Sequence, residues 1–181
     1  MLTLLDHLDR DFYTPRVYVS AATDALSAAK AAAREQRWAA SEQRRNESTT
    51  RPAFKCVTIP RSREVGQPWL SSAFTTLRAL FSAAAVVARE RPALLLCNGP
   101  GTCVPLALAA VLWRAAGVCE GGTRISYVES VARVRRLSLS ARLLRMVGAA
   151  DLLLVQWPEL ARPAALPVGG AGAIEYAGRL F

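Results

Sequence analysis

The stretch Leu94-Leu95-Leu96-Cys97-Asn98-Gly99-Pro100-Gly101-Thr102-Cys103-Val104-Pro105 is an apolar run that breaks into a glycine-rich turn and restarts as an apolar helix. Gly99 and Gly101 let the backbone turn tightly, and Thr102 is an N-cap residue type. The amides of Gly101, Thr102 and Cys103 can therefore converge on an anion at a helix N-terminus. Pro100 has no N–H to offer, and Pro105 is tolerated only in a first turn. The same residues also read as an ordinary strand-to-helix turn without a ligand. A second candidate is Glu129, which ends the apolar run Ile125 to Val128 and is followed by Ser130 and Arg133. A carboxylate there can accept hydrogen bonds from sugar hydroxyls or act as a base, and it can equally cap a helix or pair with a nearby arginine. A third is Pro60-Arg61-Ser62-Arg63-Glu64. Stiffened by Pro60, Arg61 and Arg63 offer bidentate donors for phosphate, with a surface ion pair to Glu64 as the competing reading.

Several chemistries are excluded by residue type. A nucleotide-binding P-loop needs Lys followed by Ser or Thr after its glycines, whereas this loop continues Thr102-Cys103. The G-x-G-x-x-G fingerprint of dinucleotide binding is missing after the first strand. His7, the sole histidine, lies in an otherwise apolar segment and supports neither a Ser–His pair nor a metal site. Cys56, Cys97, Cys103 and Cys119 have no CxxC spacing and sit mostly in apolar runs, which predicts buried, reduced thiols. No metal and no cofactor are expected. Nucleic acid is not an expected partner either, because no interleaved aromatic set accompanies the positive charge.

The elements that must position these groups alternate. Strands are predicted at 16–21, 55–59, 93–97, 124–128 and 152–155, with a last one near 174–177. A short helix is predicted over 2–9, and an Ala-rich helix from 26 turns polar and becomes a flexible loop over 35–54. Leu70, Phe74, Leu77, Phe81 and Val86 mark an amphipathic helix, and further helices are predicted over 103–116 and 138–147. Strands such as Leu152 to Val155 are apolar throughout, which argues for a parallel sheet covered on both faces. The expected fold is α/β and Rossmann-like, a single domain over 1–181. The candidate motifs all follow strand ends, the edge at which such sheets bind ligands.

The net charge of +9 over 181 residues favours anionic partners. Lys30 and Lys55 are the only lysines, so the arginine excess also fits a compositional bias. The band Arg133, Arg135, Arg136, Arg142 and Arg145 lies opposite Leu139, Leu143 and Leu144 on the predicted helix. Such a face can rest on an anionic leaflet or simply be solvated. The longest apolar run, Val104 to Trp113, is about half of the roughly 20 residues that span a bilayer, so no transmembrane segment is expected.

Taken in order, Ile59-Pro60-Arg61-Ser62-Arg63-Glu64-Val65, Phe74-Thr75-Thr76-Leu77, Leu96 to Pro105, Tyr127-Val128-Glu129-Ser130 and Val155-Gln156-Trp157-Pro158 resemble the asparagine-linked glycosylation protein fourteen family across nearly the whole chain. The resemblance implies the N-terminal, acceptor-side half of a GT-B glycosyltransferase, inactive alone. It implies a subunit of the transferase that moves N-acetylglucosamine from its UDP donor onto N-acetylglucosaminyl-diphosphodolichol. The implied site is the cytoplasmic face of the endoplasmic reticulum membrane, with the nuclear envelope continuous with it. The implied partners are a donor-binding subunit of the protein thirteen family, the lipid diphosphate acceptor and the cytosolic leaflet. On that basis Asn98, Gly99, Gly101 and Thr102, with Arg61, Arg63, Ser130 and Arg133, are expected around the acceptor diphosphate. Glu129 is the candidate base, and Gly178, Arg179, Leu180 and Phe181 are expected to hold the partner. Family members begin with a membrane-spanning helix, a strand and a Gly-Ser-Gly-Gly-His-Thr-like loop, so the chain reads as N-terminally shortened. His7 then belongs to the later helix, not to that loop. A scaffold that only recruits its partner to the membrane is the alternative.

Overall fold

The computed structural model describes residues 5–6, 8–9, 11–44, 54–61, 69–99, 101–118, 122–162 and 172–178. They belong to two compact units, Met1–Pro60 and Arg61–Phe181.

The first unit is a βαβ crossover. Strands β1 (Arg16–Ala21) and β2 (Phe54–Ile59) pair in parallel from Arg16 opposite Phe54 to Ala21 opposite Ile59, joined through helix α1 (Ala25–Arg44). Asp24 starts α1 by accepting the Ser27 amide at 3.0 Å and the Ser27 hydroxyl at 2.6 Å, a cap that satisfies an orphan first-turn donor. The predicted loop from residue 35 is instead helix as far as Arg44. The physical reason is Glu35, buried one turn after buried Ala31. Its carboxylate takes Arg16 in a two-pronged pair at 2.7 and 2.9 Å and the Tyr18 hydroxyl at 2.6 Å. Burial chiefly, with the Glu35 hydrogen bond, pushes the Tyr18 phenol well above its usual range. The Arg16 guanidinium is raised by the Glu35 hydrogen bond first. The polar stretch is helical although most of it is solvated, because one carboxylate, Glu35, faces inward to two β1 donors. Residues 45–53, and residues 2–4 and 7 of the predicted helix, His7 included, lie outside the described residues.

The second unit runs α2 (Trp69–Glu90), β3 (Leu94–Asn98), α3 (Cys103–Ala115), β4 (Arg124–Val128), α4 (Leu139–Met146), β5 (Leu152–Val155), α5 (Pro158–Ala161) and β6 (Ala173–Tyr176). Its four strands lie in the order β3-β4-β5-β6, all parallel, with Asn98 opposite Val128 and Val155 opposite Tyr176. The α/β, Rossmann-like architecture with parallel sheets expected from the strand pattern is present. Helices α3 and α4 pack against each other. Ile125, Tyr127, Val128, Leu144, Val155 and Leu160 are buried in this unit.

In α2 the residues withdrawn from water are the small ones, Ala79, Ala83 and Val87, whereas Phe74, Leu77 and Phe81 are exposed. Small side chains allow α2 and α3 to approach closely, and Trp113 of α3 donates its indole N–H to the Ala84 carbonyl at 2.8 Å. The N-terminal edge of the sheet is tied by Asp151. Its carboxylate accepts Arg114 Nη1 at 3.0 and 2.9 Å and the Ile125 amide at 2.8 Å. Gly172 enters β6 at φ +94°, where a Cβ would stand 2.1 Å from the Ala150 carbonyl oxygen. Helix α5 was not anticipated from the sequence. Pro158 at its first turn starts it and Leu160 anchors it by burial.

Candidate functional site

The C-terminal ends of β3 and β4 carry the candidate site. Apolar β3 ends at Asn98, whose side-chain amide donates to the Val128 carbonyl at 3.3 Å and so ties the two strand ends together. Gly99 follows at φ +109°, a conformation open to glycine and strained for other residues, with nothing within 4 Å of where a Cβ would be. Thr102 occupies the N-cap position of α3 as expected, but in a helical conformation and without a side-chain capping bond. The first-turn amide that a capping hydroxyl would occupy is not taken by it. The positive end of a 13-residue helix therefore faces the turn, which suits an anion.

From this turn a chain of hydrogen bonds runs to Glu129. The Tyr127 hydroxyl donates to the Gly99 carbonyl at 3.0 Å and lies 3.2 Å from Ser138 Oγ. A phenol has one proton, so with that proton on Gly99 the Ser138 hydroxyl donates to Tyr127 while accepting the Ala141 amide at 3.1 Å as the α4 cap. The Ser138 amide donates to Glu129 Oε2 at 2.7 Å, and the Ser130 amide to Glu129 Oε1 at 2.9 Å. The Glu129 carbonyl accepts the buried Gln156 side-chain amide at 2.8 Å. Glu129 is 1% exposed. Its carboxylate therefore closes the segment 130–138 at both ends, while the N-cap of α4 is Ser138 and not Glu129. Burial in the first place, with the Glu129 charge and the nearby thiols adding to it, pushes the Tyr127 phenol well above its usual range and keeps it a donor.

The thiols of Cys97 and Cys103 meet across the base of the turn. The neighbouring Cys97 thiol in the first place, with the Asn98 backbone, holds the Cys103 thiol below its usual range against the opposing effect of burial. The Cys103 thiol beside it, together with burial, pushes the Cys97 thiol well up. Cys97 is buried as expected, but Cys56 is exposed on β2. Cys119 lies outside the described residues. Among the described residues no cluster of side chains could hold a metal ion.

Of the residues selected from sequence, Asn98, Gly99, Gly101, Thr102, Glu129 and Ser130 share this edge. Arg133 is exposed, with its amide on the Ser130 carbonyl at 2.9 Å. Arg61 is exposed two residues past β2 and joins no hydrogen bond to this network. Gly178 stands two residues past β6 at φ +71°. Arg63, Arg179, Leu180 and Phe181 lie outside the described residues. Sequence reading missed Tyr127, Ser138 and Gln156 as members of the site. The available signal was a polar hydroxyl at the buried end of β4, and a serine placed to cap the helix beyond it.

Residues 1–167 match the family model described as "Oligosaccharide biosynthesis protein Alg14 like". The chain is 46% identical over 149 residues to the mouse protein named "UDP-N-acetylglucosamine transferase subunit ALG14", covering 82% of this chain and 65% of that one. The human protein of the same name is 41% identical over 160 residues, covering 88% and 70%. The Yarrowia lipolytica protein is 41% identical over 164 residues, covering 89% and 68%. The chain thus spans about two thirds of the length of these relatives.

Proposed function

The chain belongs to the Alg14 family, and on that premise we propose that it is the acceptor-side subunit of a UDP-N-acetylglucosamine transferase. In this reading residues 1–181 serve as the N-terminal half of a GT-B enzyme, inactive alone. The observation that carries it is the turn Asn98 to Thr102 at the carboxyl edge of a parallel sheet, facing the N-terminus of α3 and braced through Tyr127 and Ser138 to Glu129. A diphosphate on a lipid-linked acceptor supplies the charge that such an N-terminus stabilises. Arg133, Arg61 and Arg63 would add guanidinium donors suited to phosphate oxygens.

A hydroxyl attacking a sugar must lose a proton, and Glu129 is the candidate base. Each carboxylate oxygen holds one amide and keeps a second lone pair, but the residue is 1% exposed, so to act as a base it must first be opened to the acceptor hydroxyl. A purely positioning role requires no such opening. The donor nucleotide sugar is assigned to a separate subunit of the protein thirteen family, held by Gly178 to Phe181, with assembly at the cytoplasmic face of the endoplasmic reticulum membrane. The relatives' shared name as transferase subunits supports a divided enzyme. Among the described residues no helix is long and apolar enough to cross a membrane.

The test is co-expression with the donor-binding subunit, pull-down, and transfer from UDP-N-acetylglucosamine to a diphosphate-lipid acceptor. The proposal expects binding and transfer by the pair and none by either chain alone, with removal of 178–181 ending both. A pair that binds but transfers at an unchanged rate when Gly99 and Glu129 are both replaced would mean a recruiting scaffold instead.

A further inference from the structure

The segment between β4 and α4, together with the outer side of α4, forms a cationic and apolar surface. Val131, Ala132, Arg133, Val134, Arg135 and Arg136 are all exposed in succession. The run then continues into Leu139, 78% exposed, and Met146, 65% exposed. On α4 the exposed positions Leu139, Arg142 and Met146 recur at i, i+3 and i+7, one stripe along the helix. No Asp or Glu occurs between Glu129 and Asp151, so nothing within the segment neutralises these arginines. Among the described residues Arg133, Arg135, Arg136 and Arg142 have no ion-pair partner.

The surface is also fixed in place. Glu129 holds the amides at both ends of the segment, Ser130 and Ser138, and the Trp157 indole donates to the Val131 carbonyl at 2.7 Å. Holding apolar side chains and unneutralised arginines in water on a braced backbone suits a partner that takes both at once. A bilayer with anionic headgroups does so, burying the apolar side chains to headgroup depth while the guanidinium groups meet phosphates. The exposed stripe Phe74, Leu77 and Phe81 of α2 has only Arg78 within its span and lacks this pairing.

We infer that the surface built by residues 131–136 and the Leu139–Arg142–Met146 stripe of α4 docks the protein onto an anionic lipid bilayer. This contact adjoins the proposed acceptor site and shares Arg133 with it, but it rests on exposure and charge alone and does not depend on the transferase reading. It predicts an orientation in which the C-terminal edge of β4, just before the segment, lies beside the headgroups.

The test is sedimentation of the full 181-residue chain with phosphatidylcholine vesicles, with and without phosphatidylserine. The expected result is binding to the anionic vesicles that molar salt abolishes, because screening contracts the Debye length to about 3 Å at 1 M. At about fivefold in partitioning per basic residue near the surface, Arg135→Glu with Arg136→Glu should weaken binding by at least about 25-fold. Leu139→Ser should weaken it several-fold. Circular dichroism confirms that these exposed substitutions leave the fold intact. Equal binding to neutral and anionic vesicles, or unchanged binding of the Arg135→Glu/Arg136→Glu variant, overturns the inference. Capture by RNA as tight as by vesicles, with Leu139→Ser without effect on either, overturns it in favour of a soluble polyanion. A transfer assay on the same variants with detergent-solubilised acceptor separates this result from the fate of the proposed function.

Discussion

Replacing Glu129 by glutamine takes away one of the two acceptor oxygens that close the segment 130–138. In the native protein Oε1 receives the Ser130 amide at 2.9 Å and Oε2 the Ser138 amide at 2.7 Å, with the residue 1% exposed. In Glu129→Gln the side-chain NH₂ must face one of those amides, leaving a buried N–H without an acceptor at about 1–3 kcal/mol. The surviving bond weakens from one made to a carboxylate toward one made to a neutral amide, a further loss of about 1 kcal/mol. The sum, about 2–4 kcal/mol, is a large part of the roughly 5–15 kcal/mol that holds a domain folded. Urea unfolding is the assay, and with a slope of about 2 kcal/mol/M the midpoint should fall by about 1–2 M. Glu129→Ala strands both amides and should cost more than Glu129→Gln. Hydrogen exchange at the Ser138 amide should speed up in both variants by more than in the β3 strand. A midpoint within about 0.3 M of the native protein, with Ser138 protection unchanged, would refute the clamp and leave the carboxylate free for another role.

Gly172→Ala should be severely destabilising, by more than about 3 kcal/mol, since the new Cβ falls 2.1 Å from the Ala150 carbonyl oxygen at φ +94°; a thermal melt of the variant checks it. Asp151→Asn, which weakens the bonds to Arg114 and to the Ile125 amide, should cost about 1–3 kcal/mol by urea titration. The Tyr127 phenol is raised by burial, so the unfolded chain loses that proton first and stability falls as pH rises above 10, the ordinary value. Tyr127→Phe should therefore show a shallower alkaline loss of stability than the native protein in unfolding curves taken on either side of that pH. Iodoacetamide followed by mass spectrometry should modify Cys103 before Cys97, and Cys97→Ala should slow Cys103 labelling by removing the neighbour that favours its thiolate.

The strands were legible because β3 and β5 are continuously apolar and bounded by Gly, Pro or Asp, and the structure places them within a residue of expectation. The turn Asn98 to Thr102 was legible for the same reason, a glycine pair between an apolar strand and an apolar helix. The run of α1 beyond residue 35 was not. Its composition is polar, and only the Arg16 and Tyr18 side chains, brought over by the β1 pairing, turn Glu35 inward. Exposure of Phe74, Leu77 and Phe81 was equally hidden, because helical spacing gives a face without saying which face packs. At the site, the sequence marked Glu129 as chemically notable, but its bonds to Ser130 and Ser138 depend on how the chain returns nine residues later. Pairing between residues that far apart in a loop leaves no periodic trace.

The central claim is that the turn Asn98 to Thr102 holds the acceptor diphosphate, and the most direct measurement is the KM split of Gly99→Ala in the co-expressed complex. Gly99 has open space around it, so the substitution introduces no clash and acts through its φ of +109° on the direction of the turn amides. The account predicts a raised KM for the lipid diphosphate acceptor, with the KM for UDP-N-acetylglucosamine and partner pull-down unchanged. An unchanged acceptor KM, or a shift in the donor KM alone, would contradict it.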